Sequence, residues 1–285
     1  MRFAVSVFSA SVLHRGAYAG NRSSKAMTTA AAAAARKLPP VELGPLPRAV
    51  LACIQVPTDF VLDSEGPAMV AGLAGVELRL HKLALDADTI DEATFLAGAS
   101  RVGDAAAALR PRDRHTVVGL ACTSLSFTLG AAAVDAQLNR GLPGAAATDM
   151  ARAQAAALAA LGAGTVALVT PYVASVAAGN VAMLEAAGIT VVASATMGLD
   201  RDELTTRVEP STIAAWCKAT DVAAADAVVV GCSAFRACER GFIDALEADL
   251  GKPVVTSTQA FMWHMLRTAG VDDRIPGYGA LLSAH

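Results

Sequence analysis

The chain has 285 residues, 54% of them hydrophobic and 17% charged, with a formal net charge of −3. That is enough for one large or two medium domains with a proper core, and no run approaches the roughly 18 uninterrupted apolar residues of a membrane helix. Cys53, Cys122, Cys217, Cys232 and Cys238 form no CxxC pair and no metal-like Cys/His spacing, a usage that suits a reducing compartment better than a disulfide framework.

The first 41 residues carry Arg2, Arg15, Arg22, Lys25, Arg36 and Lys37, an alanine tract at 30–35, and no Asp or Glu. A basic, serine-containing, acid-free leader has the composition of an organellar transit peptide. The alternatives are a start placed too early or an alanine-rich leader without structure. Residues 1–47 are read as this leader, which would direct the chain to a mitochondrion or plastid; without it the expected location is cytoplasmic. Taking away those six cations leaves 17 against 26 acidic residues, about −9 for residues 42–285. Nucleic acid and anionic membrane surfaces are therefore poor partners.

After the proline-rich hinge at 37–48, strand-like and helix-like segments alternate. "AVLACIQV" (49–56) and "GVELRLHKL" (75–83) read as strands, 91–110 as a helix and "TVVGLAC" (116–122) as a strand before a helical region reaching about 140. Asp149 is a good N-cap for a helix over 149–162 that ends at Gly162. Then follow a strand (165–172), a helix (173–188), a strand (189–195), a helix over 210–225 with Pro210 in its first turn, a strand (227–233), a helix (237–251), a strand (253–257) and a helix (258–270). Short β-branched runs alternating with helices predict an α/β protein of parallel sheets flanked by helices.

The pattern also repeats. "TVVGLACTS" (116–124) and "AVVVGCSAF" (227–235), about 110 residues apart, both end a core strand in a cysteine followed by a hydroxyl residue. Two similar lobes facing each other would bring both strand ends into one cleft, where open α/β sheets bind ligands. The predicted lobes are 48–145 with about 257–285, and 146–256.

A thiol at the carboxyl end of a parallel strand meets backbone amides and a positive helix end, both of which favour thiolate. Thr123 and Ser124 add donors that could hold a carboxylate or an enolate-like oxygen. Two thiols facing one substrate carbon can move protons on opposite faces, or one can add to an activated double bond while the other handles the proton. Cys53, Cys217 and Cys238 lack this setting and read as packing residues. "GLAGV" (72–76) and "LGAGTV" (161–166) lack the strand-to-helix GxGxxG fingerprint, so no nucleotide site is expected.

"GLACTSLSF", "TPYVASVAAGNVAMLEAAGITVV", "VVVGCSAFRA" and "LGKPVVTSTQAFMWHMLRTAG" together resemble the Asp/Glu racemase superfamily, in the branch of maleate cis-trans isomerases, arylmalonate decarboxylases and ectoine-utilization proteins. The likeness spans about residues 48–275. It implies two pseudo-symmetric Rossmann-like lobes with the active site between them, no metal and no organic cofactor, and a small carboxylic acid as substrate. Cys122 then matches the nucleophilic cysteine of the first lobe and Cys232 its partner in the second, as in the two-cysteine isomerases and racemases. Tyr172 matches a substrate-contacting tyrosine, and Thr123, Ser124 and Ser233 match carboxylate-binding positions. A homo-oligomer, dimer or tetramer, is expected.

Two departures stand out. Asp59 and Asp202 are the nearest matches to positions where the isomerases usually carry substrate-binding asparagines. Ionised in the cleft, they would repel a dicarboxylate by roughly 4 kcal/mol per charge at about 4 Å and ε of about 20, which favours a substrate bearing an ammonium, sulfonium or hydroxyl group. The duller reading makes them an N-cap and a solvated loop charge. The function expected is a cofactor-independent isomerase or racemase of the maleate isomerase kind. Decarboxylation or elimination through a stabilised carbanion is the enzymatic alternative, and non-catalytic binding of a small acid the other.

Overall fold

The computed structural model describes residues 41–85, 92–111 and 114–285, so most of the expected leader lies outside the described residues. From Pro47 onward the first half runs β1 (Ala49–Gln55), α1 (Leu62–Val70), β2 (Val76–Lys82), α2 (Glu92–Ala108), β3 (Val117–Ala121), α3 (Thr123–Leu129), α4 (Ala131–Gly141) and β4 (Ala146–Asp149). Helix α5 (Met150–Ala160) leads to the second half: β5 (Thr165–Tyr172), α6 (Ala174–Ala186), β6 (Thr190–Leu199), α7 (Asp202–Thr205), α8 (Pro210–Thr220), β7 (Ala227–Val230), α9 (Phe242–Leu250) and β8 (Val254–Thr256). Helices α10 (Ser257–Thr268) and α11 (Gly279–Ala284) close the chain.

All strand pairings are parallel and make two four-stranded sheets, ordered β2-β1-β3-β4 and β6-β5-β7-β8. The same order twice is the predicted internal repeat in three dimensions. Strands β1, β3 and β7 are buried along their whole length, as parallel strands covered on both faces must be, which is why they read as unbroken apolar runs. Each sheet reverses its winding between its first and third strands, and the crevice outside the carboxyl ends at such a switch point is where ligands bind. The turns after β1 and β3, and after β5 and β7, therefore line the candidate site.

Several elements differ from the sequence reading. Ala146–Asp149 is the fourth strand of the first sheet, register-paired with β3, so the expected boundary at 145/146 cuts through that sheet. "AATD" is too short and too alanine-rich to announce a strand; Asp149 nevertheless caps α5, accepting the Arg152 N–H at 2.8 Å. Helix α1 carries Gly66 and Pro67 within it, residues that suppress helix propensity and hid it. The segment predicted as a helix from 237 becomes helical only at Phe242, because Gly241 stands in the left-handed region at φ 88°. Helix α10 follows the last strand of the second sheet yet packs onto the first. Gly119 of β3 allows it, since a Cβ there would lie 2.6 Å from Phe261 Cζ and 2.7 Å from Met265 Sδ. No helix among the described residues is long and apolar enough to cross a membrane.

Candidate active site

Cys122 directly follows β3 and forms the N-cap position of α3 in an extended conformation. Cys232 follows β7 after Gly231 and takes φ 97°, the one positive φ of a non-glycine residue among the described residues. Such a conformation costs of order 1–3 kcal/mol and persists only where surrounding contacts enforce it. The enforcing contacts are visible. The N–H of Gly231 donates to Val169 O at 2.9 Å, and that of Cys232 to Ser257 Oγ at 2.9 Å. Gly231 has no room for a side chain, since a Cβ would lie 2.6 Å from Asn180 Oδ1.

Ser257 is the knot between the two halves. Its oxygen also accepts from Thr123 Oγ1 and from Gln154 Nε2, each at 2.9 Å. The Thr123 hydroxyl, expected to be a ligand donor, is thus spent on this bond to the start of α10. Ser124 keeps its hydroxyl 3.5 Å from Cys122 Sγ, and the Ser233 hydroxyl lies beside the Asp59 carboxyl. The Tyr172 phenol is buried and has no hydrogen bond of good geometry, and both thiols lie within electrostatic reach of it, Cys232 with the larger influence. Asp59, Asp202, Cys122, Cys232 and Tyr172 are all enclosed and lie within electrostatic reach of one another through the two thiols.

The electrostatics differ from the sequence expectation of a ready thiolate. Burial pushes the Cys122 thiol up to about 12, with the Asp202 and Asp59 carboxyls adding to the rise; the Ser124 hydroxyl and the Leu125 N–H pull the other way and lose. Cys232 is also raised well above the ordinary thiol value, by burial first and then by Asp202, against the Ala234 N–H and the Tyr172 hydroxyl. Both thiols are therefore protonated in the free protein at neutral pH. Desolvation wins because amide dipoles at one helix turn offset only part of it.

The aspartates do not match either simple reading. Asp202 is 7% exposed rather than a solvated loop charge. Burial and the neighbouring Asp59 push it to about 6, opposed by the hydroxyl of Thr58, which donates to its Oδ2 at 2.5 Å. Asp59 does accept helix-start N–H groups, from Val61 at 3.0 Å and Leu62 at 3.2 Å, yet burial raises its carboxyl as well. Thr58 and Asp202 belong to different halves, so their bond ties the two loops at the rim. Outside it lies an open cavity of about 370 Å³ lined by Pro57, Thr58, Phe60, Arg201, Glu203 and Thr206.

Three residues here escaped the sequence reading: Ser257, Asn180, and Glu65 of α1. Asn180 is fully buried with neither end of its amide partnered. Glu65 accepts the N–H of Cys238 at 3.0 Å, which holds the loop after Cys232 against the first half. Cys238 Sγ also contacts Thr256 Oγ1 at 2.6 Å, and Cys53 and Cys217 are buried, as packing thiols are. Among the described residues no group of three or more His, Cys, Asp or Glu side chains could hold a metal ion.

The family model described as arylmalonate decarboxylase matches residues 53–282. The chain belongs to the arylmalonate decarboxylase family. Its relatives in this branch of the Asp/Glu racemase-like superfamily are enzymes with two different reactions. Arylmalonate decarboxylase of Bordetella bronchiseptica is 34% identical over 171 residues, covering 58% of this chain and 70% of that one. Maleate isomerase of Nocardia farcinica is 27% identical over 239 residues, covering 79% and 92%. Among solved structures, a liganded cysteine variant of arylmalonate decarboxylase superposes with a TM-score of 0.72 at 26% identity, over 83% of this chain and all of that one. A cysteine-to-serine variant of Nocardia farcinica maleate cis-trans isomerase, with a covalently bound succinylcysteine intermediate, superposes with a TM-score of 0.75 at 23% identity, over 83% and 99%. The two-sheet fold is common to both.

Proposed function

We propose that this family member is a cofactor-independent isomerase that acts on a small carboxylic acid through Cys122 and Cys232. The observation that carries the reading is the pair of buried thiols at equivalent strand ends of two equivalent sheets, each within electrostatic reach of Tyr172 or its neighbouring carboxyls Asp59 and Asp202. In the cis-trans version, Cys122 Sγ bonds to one alkene carbon of the acid. The π pair moves to the adjacent carbon and is delocalised into the carboxyl group, the former double bond rotates, and the C–S bond breaks to restore the alkene. Cys232 Sγ–H gives its proton to the carbanionic carbon, which makes the saturated adduct, and takes it back before the C–S bond breaks. The Cys122 proton passes to solvent as substrate binds and returns when product leaves, and the Ser124 hydroxyl and Leu125 N–H are the groups that favour the thiolate in between. A covalent adduct of this kind on a cysteine is the state named for the Nocardia farcinica isomerase variant. In the racemase version the two thiols work opposite faces of an α-carbon.

The match to the decarboxylase model and the 34% identity to the Bordetella enzyme favour a second reading, loss of carbon dioxide from an activated acid followed by protonation by one thiol. Residues 1–47 are proposed to act as a targeting leader and the folded chain to self-associate. Incubating the chain in deuterated buffer with unsaturated, hydroxy, amino, sulfonio and malonate-type acids, followed by proton NMR, separates the outcomes. Isomerisation supports the first reading, decarboxylation the second, and ligand binding without any turnover overturns both.

A further inference from the structure

The Asp59 carboxyl is anchored at one oxygen and idle at the other. Oδ1 accepts the N–H groups of Val61 and Leu62, whereas Oδ2 is enclosed and makes no hydrogen bond of good geometry, the Ser233 hydroxyl being the one side-chain donor beside the carboxyl. The residue is completely inaccessible to solvent from outside. A bare anionic oxygen in that position would be heavily penalised; an O–H kept for a ligand would not.

The groups facing Asp59 come from every element around it. Cys122 approaches from the start of α3, Cys232 and Ser233 from the turn after β7, Asp202 from α7 and Glu65 from α1. Lys82 of β2 bonds the Asp59 backbone carbonyl. Ser233, Lys82 and the two N–H groups favour the carboxylate, and burial outweighs them. The thiols, when ionised, and the other two carboxyls add negative charge and favour the proton staying on.

We propose that Asp59 touches the substrate as an un-ionised carboxylic acid, donating the proton on Oδ2 to a carboxylate oxygen of the small acid on which the two cysteines act. The inference rests on the cysteine-based reading above. As the C–S bond forms and negative charge passes into the substrate carboxyl group, that hydrogen bond strengthens without transferring its proton. An asparagine amide would offer the same pair of functions, an acceptor for the N–H groups and a donor toward the ligand. Asp59 thus does an asparagine's work in neutral form, and a carboxylate is welcome beside it.

Two alkylating probes test this without any knowledge of the natural substrate. Iodoacetate carries a carboxylate and iodoacetamide does not, so the ratio of their rates at Cys122 cancels changes in thiolate fraction. The wild-type ratio at neutral pH should exceed that of Asp59→Ala by about tenfold or more, the worth of a hydrogen bond to a charged group, and Asp59→Asn should retain it. As pH rises, ionisation of Asp202 and Glu65 lowers the ratio in both proteins, and the wild-type ratio should fall further than that of Asp59→Asn because Asp59 ionises as well. Loss of the preference in Asp59→Asn, or identical pH responses of wild type and Asp59→Asn, overturns the proposal. Should Asp59→Ala fail to fold, the comparison with Asp59→Asn decides alone, because its Oδ1 keeps the turn. Infrared difference spectra at neutral pH give a check that needs no alkylation: the wild-type minus Asp59→Asn spectrum must show an un-ionised carboxyl band beyond the one Glu65 contributes to both proteins, and its absence overturns the proposal. Neither measurement needs turnover, so a failed isomerase reading shows as missing turnover with the probe preference intact.

Discussion

Thr123 Oγ1 lies 2.9 Å from Ser257 Oγ, a bond spanning 134 residues of sequence that joins the residue after one cysteine to the residue holding the other. The same serine oxygen receives the Cys232 N–H. One hydroxyl thereby couples the strained backbone at Cys232 to the helix that starts beside Cys122.

Replacing that hydroxyl should be costly out of proportion to its size. Ser257→Ala leaves the Thr123 hydroxyl, the Gln154 amide and the Cys232 N–H without their acceptor in a buried site. Unsatisfied buried donors cost about 1–3 kcal/mol each before relaxation, so a net loss of about 2–3 kcal/mol is expected from the urea midpoint. A loss below about 0.5 kcal/mol would show that the knot does not bear on stability.

The two thiols should carry turnover and yet be sluggish toward alkylation in the free protein. Cys122→Ser and Cys232→Ser are each expected to lower turnover on the order of a thousandfold or more. Burial holds both thiols protonated, so the iodoacetamide rate should climb about tenfold per pH unit from about pH 7 to about pH 9. A plateau within that range would reveal a thiolate already stabilised without ligand.

The strain at Cys232 should invert a familiar stability order. Alanine is ordinarily the better residue in a folded chain, because glycine loses more backbone freedom. At φ 97° the penalty of a Cβ outweighs that entropy, and Cys232→Gly should be more stable than Cys232→Ala by about 1 kcal/mol. Thermal melts of the two variants measure it directly, and the reverse order would mean the strain is not there.

Glu65 makes stability fall with pH. Burial pushes its carboxyl to about 8, with the Cys238 N–H pulling it back and Asp59 and Glu239 adding to the rise. The folded chain keeps a proton that the unfolded chain has released, so the stabilisation is complete below about pH 4.5 and is lost as pH rises through about 8. Within that window each pH unit costs about 1.4 kcal/mol. In Glu65→Gln the amide oxygen still serves Cys238, so the variant should gain on wild type steadily between about pH 5 and about pH 8. Parallel melting curves across that range would exclude the role assigned to Glu65.

Much of the fold is legible because buried parallel strands must be apolar along their whole length. "TVALVTPY" reads as a strand at the bounds of β5, and the echo between "GLACTS" and "VVGCSA" anticipates two sheets of one topology. Elements carrying little apolar signal escape: β4 in "AATD", and α1, whose Gly66 and Pro67 argue against a helix that packing enforces. The residue types at the candidate site are visible where they follow a strand, as with Cys122 and Cys232. Ser257 and Glu65 are not, because their partners lie 134 and 173 residues away and no local spacing records such pairs.

Alternation of apolar runs with helical periods determined, from sequence alone, that this chain would form parallel sheets with a thiol at the mouth of each half, because periodicity and strand ends are local properties. The charge state of those thiols and of Asp59 and Asp202 was decided only by tertiary structure. Amides at a strand end favour an anion, but enclosure by the opposite half removes the water that would solvate it, and desolvation at full burial is the larger effect. The sequence shows which groups can ionise; the closing of one sheet over the other determines which of them do.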